Sequence, residues 1–342
     1  MDAIAAPSFP EFDFDRLNLP RFTERSPWHG GDLQTLANVL APDVVDLSPF
    51  ELSRIEAPAM DDSGDRLVAS WHRPVRKSAR RPLAVLIHGL TGDEESVYVR
   101  RTARYLLAAE FPVLRLNLRG AGVSRQVCRG HYNAGSSEDL AALLAGLPMR
   151  AIDSGIVAVG FSLGGSLLLK YLGEAGLETR IRAAVTVSTP LDLTAASRRL
   201  AAPRNLIYHG HFLNELRRST LARGPDLTTA ERHAVMTARS LREFDDRYIA
   251  PRSGYDGAAD YYARCSAANF LDWIAVPTLL IQSEDDPIVP AENYHTVDWR
   301  RNRLLTPLIQ QRGGHVGFHD RQGGTWYDRA ICRFFERVLN LN

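Results

Sequence analysis

Residues 155–171, "GIVAVGFSLGGSLLLKY", run from an apolar stretch through a glycine–serine turn into an apolar helical repeat. Ile156–Val159 is continuous and apolar, as in a strand covered on both faces. Gly160-Phe161-Ser162-Leu163-Gly164 then matches G-x-S-x-G. Chance supplies that pattern in roughly one chain in ten of this length, so the context decides. A strand before it and a helix after it are what a nucleophile elbow requires. The serine of such an elbow takes a strained backbone conformation, and residues two before and two after it have no room for a Cβ. Gly160 and Gly164 hold those places, and Gly165 lets the helix approach the sheet.

The flanking chain repeats the alternation. "PLAVLIHGL" (82–90), "FPVLRLNLRGAG" (111–122), "IRAAVTVSTP" (181–190), "VPTLLIQSEDD" (276–286) and "LLTPLIQQRGGH" (304–315) read as strands. Residues 96–110, "SEDLAALLAGL", "GGSLLLKYLGEAG" and "TWYDRAICRFFERVL" have helical period. "RLVASWHRP" alternates like an early strand. Single helices between strands imply right-handed βαβ units and a mostly parallel sheet with helices on both faces. Residues 1–50 read as an extended arm with one short helix in "DLQTLANVL". The α/β core is expected over 51–190 and 268–342, and 191–267, polar and helix-like, reads as an inserted cap.

A serine hydroxyl needs a base oriented by a carboxylate, and this strand–turn–helix setting requires the chain order serine, acid, histidine. "LLIQSEDDPIVP" supplies Asp286; Asp285 is its neighbour, and the D-x-x-x-P spacing to Pro290 favours Asp286. "QQRGGHVGFHD" supplies His315, with Gly313 and Gly314 expected to leave room for the imidazole. His319 is expected at the start of the next helix. An oxyanion hole needs two backbone N–H donors; Leu163, after the nucleophile, and Leu90, in the loop after "VLIHG", are the candidates. His88 reads as a loop brace, and Arg119-Gly-Ala-Gly-Val-Ser as an architectural turn.

Composition narrows the classes. The 342 residues are 45% apolar and 24% charged, with a formal net charge of +1. That balance argues against nucleic acid as a partner. Cys128, Cys265 and Cys332 form no CxxC, so neither a disulfide framework nor a zinc knuckle is expected. "MDAIAAPSFPEFDFDRL" has no basic or apolar leader pattern, and no apolar run approaches the roughly 18 residues of a membrane span. A cytoplasmic protein is expected. His209-Gly-His211 lacks an accompanying ligand cluster, there is no P-loop or dinucleotide fingerprint, and no metal or cofactor is expected. His315 and Asp320 form an H-x₄-D spacing seen in acyltransferases, which ten histidines make unremarkable.

Three segments resemble the AB hydrolase 4 family of the α/β-hydrolase superfamily. They are "PWHGGDLQTL"; "HGLTGDEESVYVR" with "NLRGAG" and "GFSLGGSLLLKYLGE"; and "DDRYIAPRSGYDGAADYYARCSAANFLDWIAVPTLLIQSEDD". The likeness covers most of residues 27–320, with Asp32 standing where the family often has histidine. The family includes fungal medium-chain ethyl ester synthases and esterases, bacterial hydrolases and vertebrate lipases. By resemblance the fold is α/β-hydrolase, Ser162, Asp286 and His315 are the charge-relay residues, and a small-molecule carboxylic ester is the substrate. Two alternatives remain open, acyl transfer to an alcohol and a catalytically silent protein that keeps the fold. Oligomeric state is not legible.

Overall fold

The computed structural model describes residues 19, 21–76, 81–176, 179–222 and 227–340. Part of the expected arm, residues 1–18 and 20, lies outside the described residues. Eight strands form one sheet: β1 (Glu51–Pro58), β2 (Arg66–Arg73), β3 (Leu83–Ile87), β4 (Val113–Asn117), β5 (Ile156–Phe161), β6 (Ile181–Val187), β7 (Thr278–Ser283) and β8 (Leu305–Gln310). Their order is β1-β2-β4-β3-β5-β6-β7-β8. β2 pairs antiparallel with both β1 and β4, and every pairing from β4 to β8 is parallel.

Among the described residues nine helices have eight residues or more: α1 (Gly30–Leu40), α2 (Val97–Ala108), α3 (Ser137–Ala145), α4 (Leu163–Ala175), α5 (Leu193–Ala201), α6 (Leu206–Leu221), α7 (Thr229–Thr237), α8 (Ala258–Cys265) and α9 (Trp326–Val338). α3 and α4 pack on one face of the sheet, where Leu140, Leu143, Leu168 and Leu172 are buried against alternate residues of β3 and β5. α2 and α9 cover the other, with Leu106, Phe334 and Phe335 among its buried side chains. β3 and β5 are therefore buried at every residue, which explains their unbroken apolar sequence. Pro307 is tolerated in β8 because β8 is an edge strand with β7 its single partner.

One strand, β1, was not anticipated, and one reading, of β2, needs correction. β1 carries no apolar run: only Ile55 and Ala57 of its eight residues are buried, as an edge strand permits. β2 does not alternate; Leu67 through His72 are all buried. Between β6 and β7 the chain forms α5 to α8 and several shorter turns, and no strand among the described residues. Their apolar side chains, including Leu200, Leu213, Phe244 and Tyr262, gather with Ile288 and Val289 of the loop after β7 in a third cluster.

Candidate active site

The chain passes from β3 to β4 on one side of β3 and then back across it to β5 on the other. This leaves a crevice at the carboxyl ends of the central strands, where ligands enter open α/β sheets. Ser162 stands there, between β5 and α4. Its φ of 50° and ψ of −123° lie in the region that L residues rarely occupy. Its N–H is held by the carbonyl of Val187 at the end of β6 (2.9 Å). The flanking glycines are obligatory by close approach. A Cβ on Gly160 would lie 2.6 Å from the Gly165 Cα, and one on Gly164 would lie 2.3 Å from the His88 carbonyl oxygen.

His315 and Asp286 converge on that serine. His315 Nε2 lies 3.0 Å from Ser162 Oγ, and its Nδ1 lies 2.9 Å from Asp286 Oδ2. The other carboxylate oxygen, Oδ1, accepts the N–H groups of Ile288 (2.8 Å) and Val289 (2.9 Å). Three N–H groups thus fix the carboxylate, and Nδ1–H given to Asp286 leaves the Nε2 lone pair aimed at the hydroxyl. Asp285 points elsewhere: it accepts the N–H of Gly314 (2.9 Å).

The loop after β3 leaves one donor free. The N–H of Gly89 goes to the Tyr98 hydroxyl (3.0 Å), that of Thr91 to the Tyr132 hydroxyl (2.7 Å), and that of Gly92 to the Gly89 carbonyl. Leu90 N–H has no partner among the described residues. Leu163 is the first residue of α4, so its N–H has no acceptor within the helix. Both residues line the cavity that contains Ser162. His88 braces this loop: its Nδ1 bonds the Gly89 carbonyl (2.8 Å) and its Nε2 accepts from Leu118 N–H (3.1 Å). Full burial pushes its pKa down to about 4, in keeping with a neutral ring.

Two of the other readings resolve differently. Gly313 and Gly314 do not make room for the imidazole. A Cβ on Gly313 would strike the Phe318 ring at 2.5 Å, and one on Gly314 would lie 2.3 Å from the Gly31 carbonyl oxygen; the space at Gly314 admits α1. His319 does not open a helix; it is buried in an isolated bridge with Thr325, and α9 starts at Trp326. Asp320 is occupied by an ion pair with Arg329 and by the Gln322 N–H. His209 Nε2 accepts from Leu241 N–H (3.2 Å), and no group of three candidate metal ligands occurs among the described residues.

Sequence reasoning missed the residues of α1 that hold the histidine loop. Thr35 Oγ1 accepts the N–H of His315 (2.8 Å) and donates to the Gly31 carbonyl (2.6 Å). Gln34 accepts from His319 N–H (2.7 Å), and Asn38 donates to the Val316 carbonyl (2.9 Å). Asp32, the departure from the family pattern, bonds Arg204 (2.9 Å) and the Tyr208 hydroxyl (3.0 Å), tying α1 to the helical segment that includes α6. The available signal was a run of polar residues, Gln34, Thr35 and Asn38, on a short amphipathic helix.

The cavity beside Ser162 is largely apolar. Its walls come from the loops after β3 and β7 and from α5, α6 and α8, with Leu200, Phe212, Leu216 and Ile288 among them. Such a space suits an acyl chain or a comparable apolar group.

The α/β hydrolase fold family matches residues 82–322. Monoacylglycerol lipase of Saccharomyces cerevisiae is 31% identical over 267 residues, covering 75% of this chain and 59% of the yeast protein. YheT of Escherichia coli is 30% identical over 293 residues, covering 84% of this chain and 83% of its own length. The chain thus spans less than two thirds of the yeast relative and most of the bacterial one. Among solved structures, an esterase of Pyrococcus furiosus superposes with a TM-score of 0.57 at 16% identity, covering 94% of this chain and 97% of that one. That likeness bears on the fold alone.

Proposed function

Because the chain belongs to the α/β hydrolase fold family, we propose that it hydrolyses carboxylic esters through an acyl-enzyme formed on Ser162. The relay Ser162–His315–Asp286, with contacts of 3.0 and 2.9 Å, carries this reading. His315 Nε2 takes the Ser162 proton as Oγ attacks the ester carbonyl carbon. The N–H groups of Leu163 and Leu90 receive the developing oxyanion. The tetrahedral adduct collapses, the carbon–oxygen bond to the alcohol breaks, and the alcohol leaves with the proton from His315. Water, deprotonated by the same nitrogen, attacks the acyl-enzyme and releases the acid. Asp286 holds the imidazole in the tautomer that can accept, and stabilises the imidazolium as it forms.

The apolar cavity supports an acyl ester as substrate, and the name of the yeast lipase is in keeping with that class. The test is fluorophosphonate labelling of the purified protein, with the adduct located by mass spectrometry. Adduct on Ser162, lost in Ser162→Ala, is expected. An unlabelled protein, under conditions where a control esterase reacts fully, would sink the reading.

A further inference from the structure

The cavity that holds Ser162 is lined by one acidic side chain, Asp245, and by no lysine or arginine among the described residues. Asp245 begins a five-residue π turn, Asp245–Ile249, set between the short helices Leu241–Phe244 and Ala250–Arg252. Single π turns of this kind occur frequently at functional sites. Its Oδ2 accepts from the Tyr262 hydroxyl at 2.6 Å, and that hydroxyl lies 3.4 Å from Ser197 Oγ. No further hydrogen bond and no ion pair reaches the carboxyl among the described residues. The second oxygen is therefore without a protein donor, and the residue keeps surface on the cavity. Burial pushes its pKa up to about 7, against the opposing hydrogen bond from Tyr262.

The surrounding charges do not serve it. Arg252 pairs with Glu231 at 3.1 Å, and Asp246 accepts the N–H of Ala258 at 2.8 Å. Arg242 is exposed. A carboxyl needed only to hold Tyr262 would have no reason to face a chamber built for apolar groups. Opposite a plain alkyl group its free oxygen would lose water and gain nothing, at a cost comparable with a broken hydrogen bond. A hydroxyl on the ligand removes that cost by donating to the free oxygen, and its own lone pairs can meet Ser197. A cation would have to shed far more hydration to enter the same space.

We propose that Asp245, Tyr262 and Ser197 form a polar subsite that binds a hydroxyl group of the substrate, so that the cavity selects neutral hydroxylated esters over their plain alkyl counterparts. This deepens the reading of Ser162 as the nucleophile and rests on it. The hydroxyl can belong to the acyl chain or to the alcohol, and the two sources are separable.

The experiment measures binding to Ser162→Ala protein by calorimetry at neutral pH, where no turnover interferes. One arm compares methyl octanoate with its ω-hydroxy counterpart; the other compares ethyl octanoate with its hydroxyethyl counterpart. In one arm the hydroxylated ester is expected to bind about tenfold more tightly. Adding Asp245→Leu should reduce that preference to about twofold or less, whereas Asp245→Asn, which retains an acceptor, should keep most of it. If the leucine variant loses its cooperative melt, Tyr262→Phe carries the test, and the preference must fall severalfold. Equal binding in both arms, a preference untouched by these substitutions, or tighter binding of octanoylcholine than of either hydroxyl compound overturns the subsite. Fluorophosphonate labelling of the unsubstituted protein is run beside it. Its failure would remove the hydrolase reading and leave the binding result standing.

Discussion

Thr35 and His315 are joined by a hydrogen bond of 2.8 Å across 280 residues of chain, from a hydroxyl of α1 to the backbone N–H of the histidine beside Ser162. The hydroxyl proton is already given to Gly31, so the geometry at His315 is set from both sides of the threonine oxygen. Thr35→Val keeps the shape and removes the acceptor. It should slow fluorophosphonate labelling of Ser162 by about tenfold, the worth of one hydrogen bond at the reacting centre. KM for a small ester should change little, and Thr35→Ser should restore the rate. An equal loss in the serine and valine variants would mean that only packing matters there.

The two neighbouring aspartates should separate sharply. Asp286 touches the imidazole, whereas Asp285 supports the Gly314 N–H. Asp286→Asn is expected to lower kcat by about 10⁴, through the wrong imidazole tautomer. Asp285→Asn should cost less than about tenfold, since it still accepts from Gly314. Steady-state hydrolysis of a chromogenic ester distinguishes them, and comparable losses in both would reopen the assignment.

Two glycine-to-alanine substitutions should have opposite signs. Gly164→Ala drives a methyl to 2.3 Å from the His88 carbonyl oxygen, and overpacking of this kind costs about 1–3 kcal/mol or more. Gly210 lies inside α6 with nothing within 4 Å of its missing Cβ. Gly210→Ala should stabilise by roughly 0.5–1 kcal/mol through helix propensity. Urea unfolding curves of the two variants provide the comparison. A stable, fully labelled Gly164→Ala protein would contradict the elbow geometry.

Acid should weaken the fold in a defined window. Burial, the main cause in each case, pushes His72 and His88 down to about 4 and His319 down to about 3. Between those values and the unfolded value near 6.5, the native state binds fewer protons than the unfolded chain, so stability falls as pH falls. Asp245 and Asp328, pushed up by burial to about 7 and about 6, act in reverse and cost stability as pH rises from about 4. Near pH 5 unfolding takes up about three protons at the histidines and releases about two from the aspartates, a net uptake of about one. Tm should therefore drop from pH 6.5 to 4.5, and Asp328→Asn should steepen the drop. A Tm that rises on acidification would refute this balance.

The parts of the molecule legible in the sequence are those whose burial leaves a local pattern. β3 and β5 are enclosed by helices on both sides, so every residue had to be apolar. The elbow was legible because its strain demands glycine at fixed offsets from Ser162. β1 left no such trace; its outer face meets solvent, and even Leu52 is 51% exposed. Gly314 was recognisable as a place of close approach, but its neighbour is the start of α1, far off in the chain, and spacing cannot name a distant partner. The same limit hid Thr35 and Asn38, whose partners are 280 and 278 residues away. Asp245 was hidden for a different reason: a π turn has no sequence rule as firm as glycine at an elbow.

The bracing of the His315 loop by α1 imposes an order on biosynthesis. A chain grows from its amino end, so α1 is made early and must wait through β1 to β8 before His315 and Val316 emerge to meet Thr35 and Asn38. A nascent polypeptide that already displays Ser162 on its elbow, and even Asp286, has no imidazole to join them. The contact of 3.0 Å between Ser162 and His315 can therefore form only after the loop beyond β8 has been made, when the first helix and that loop close on each other.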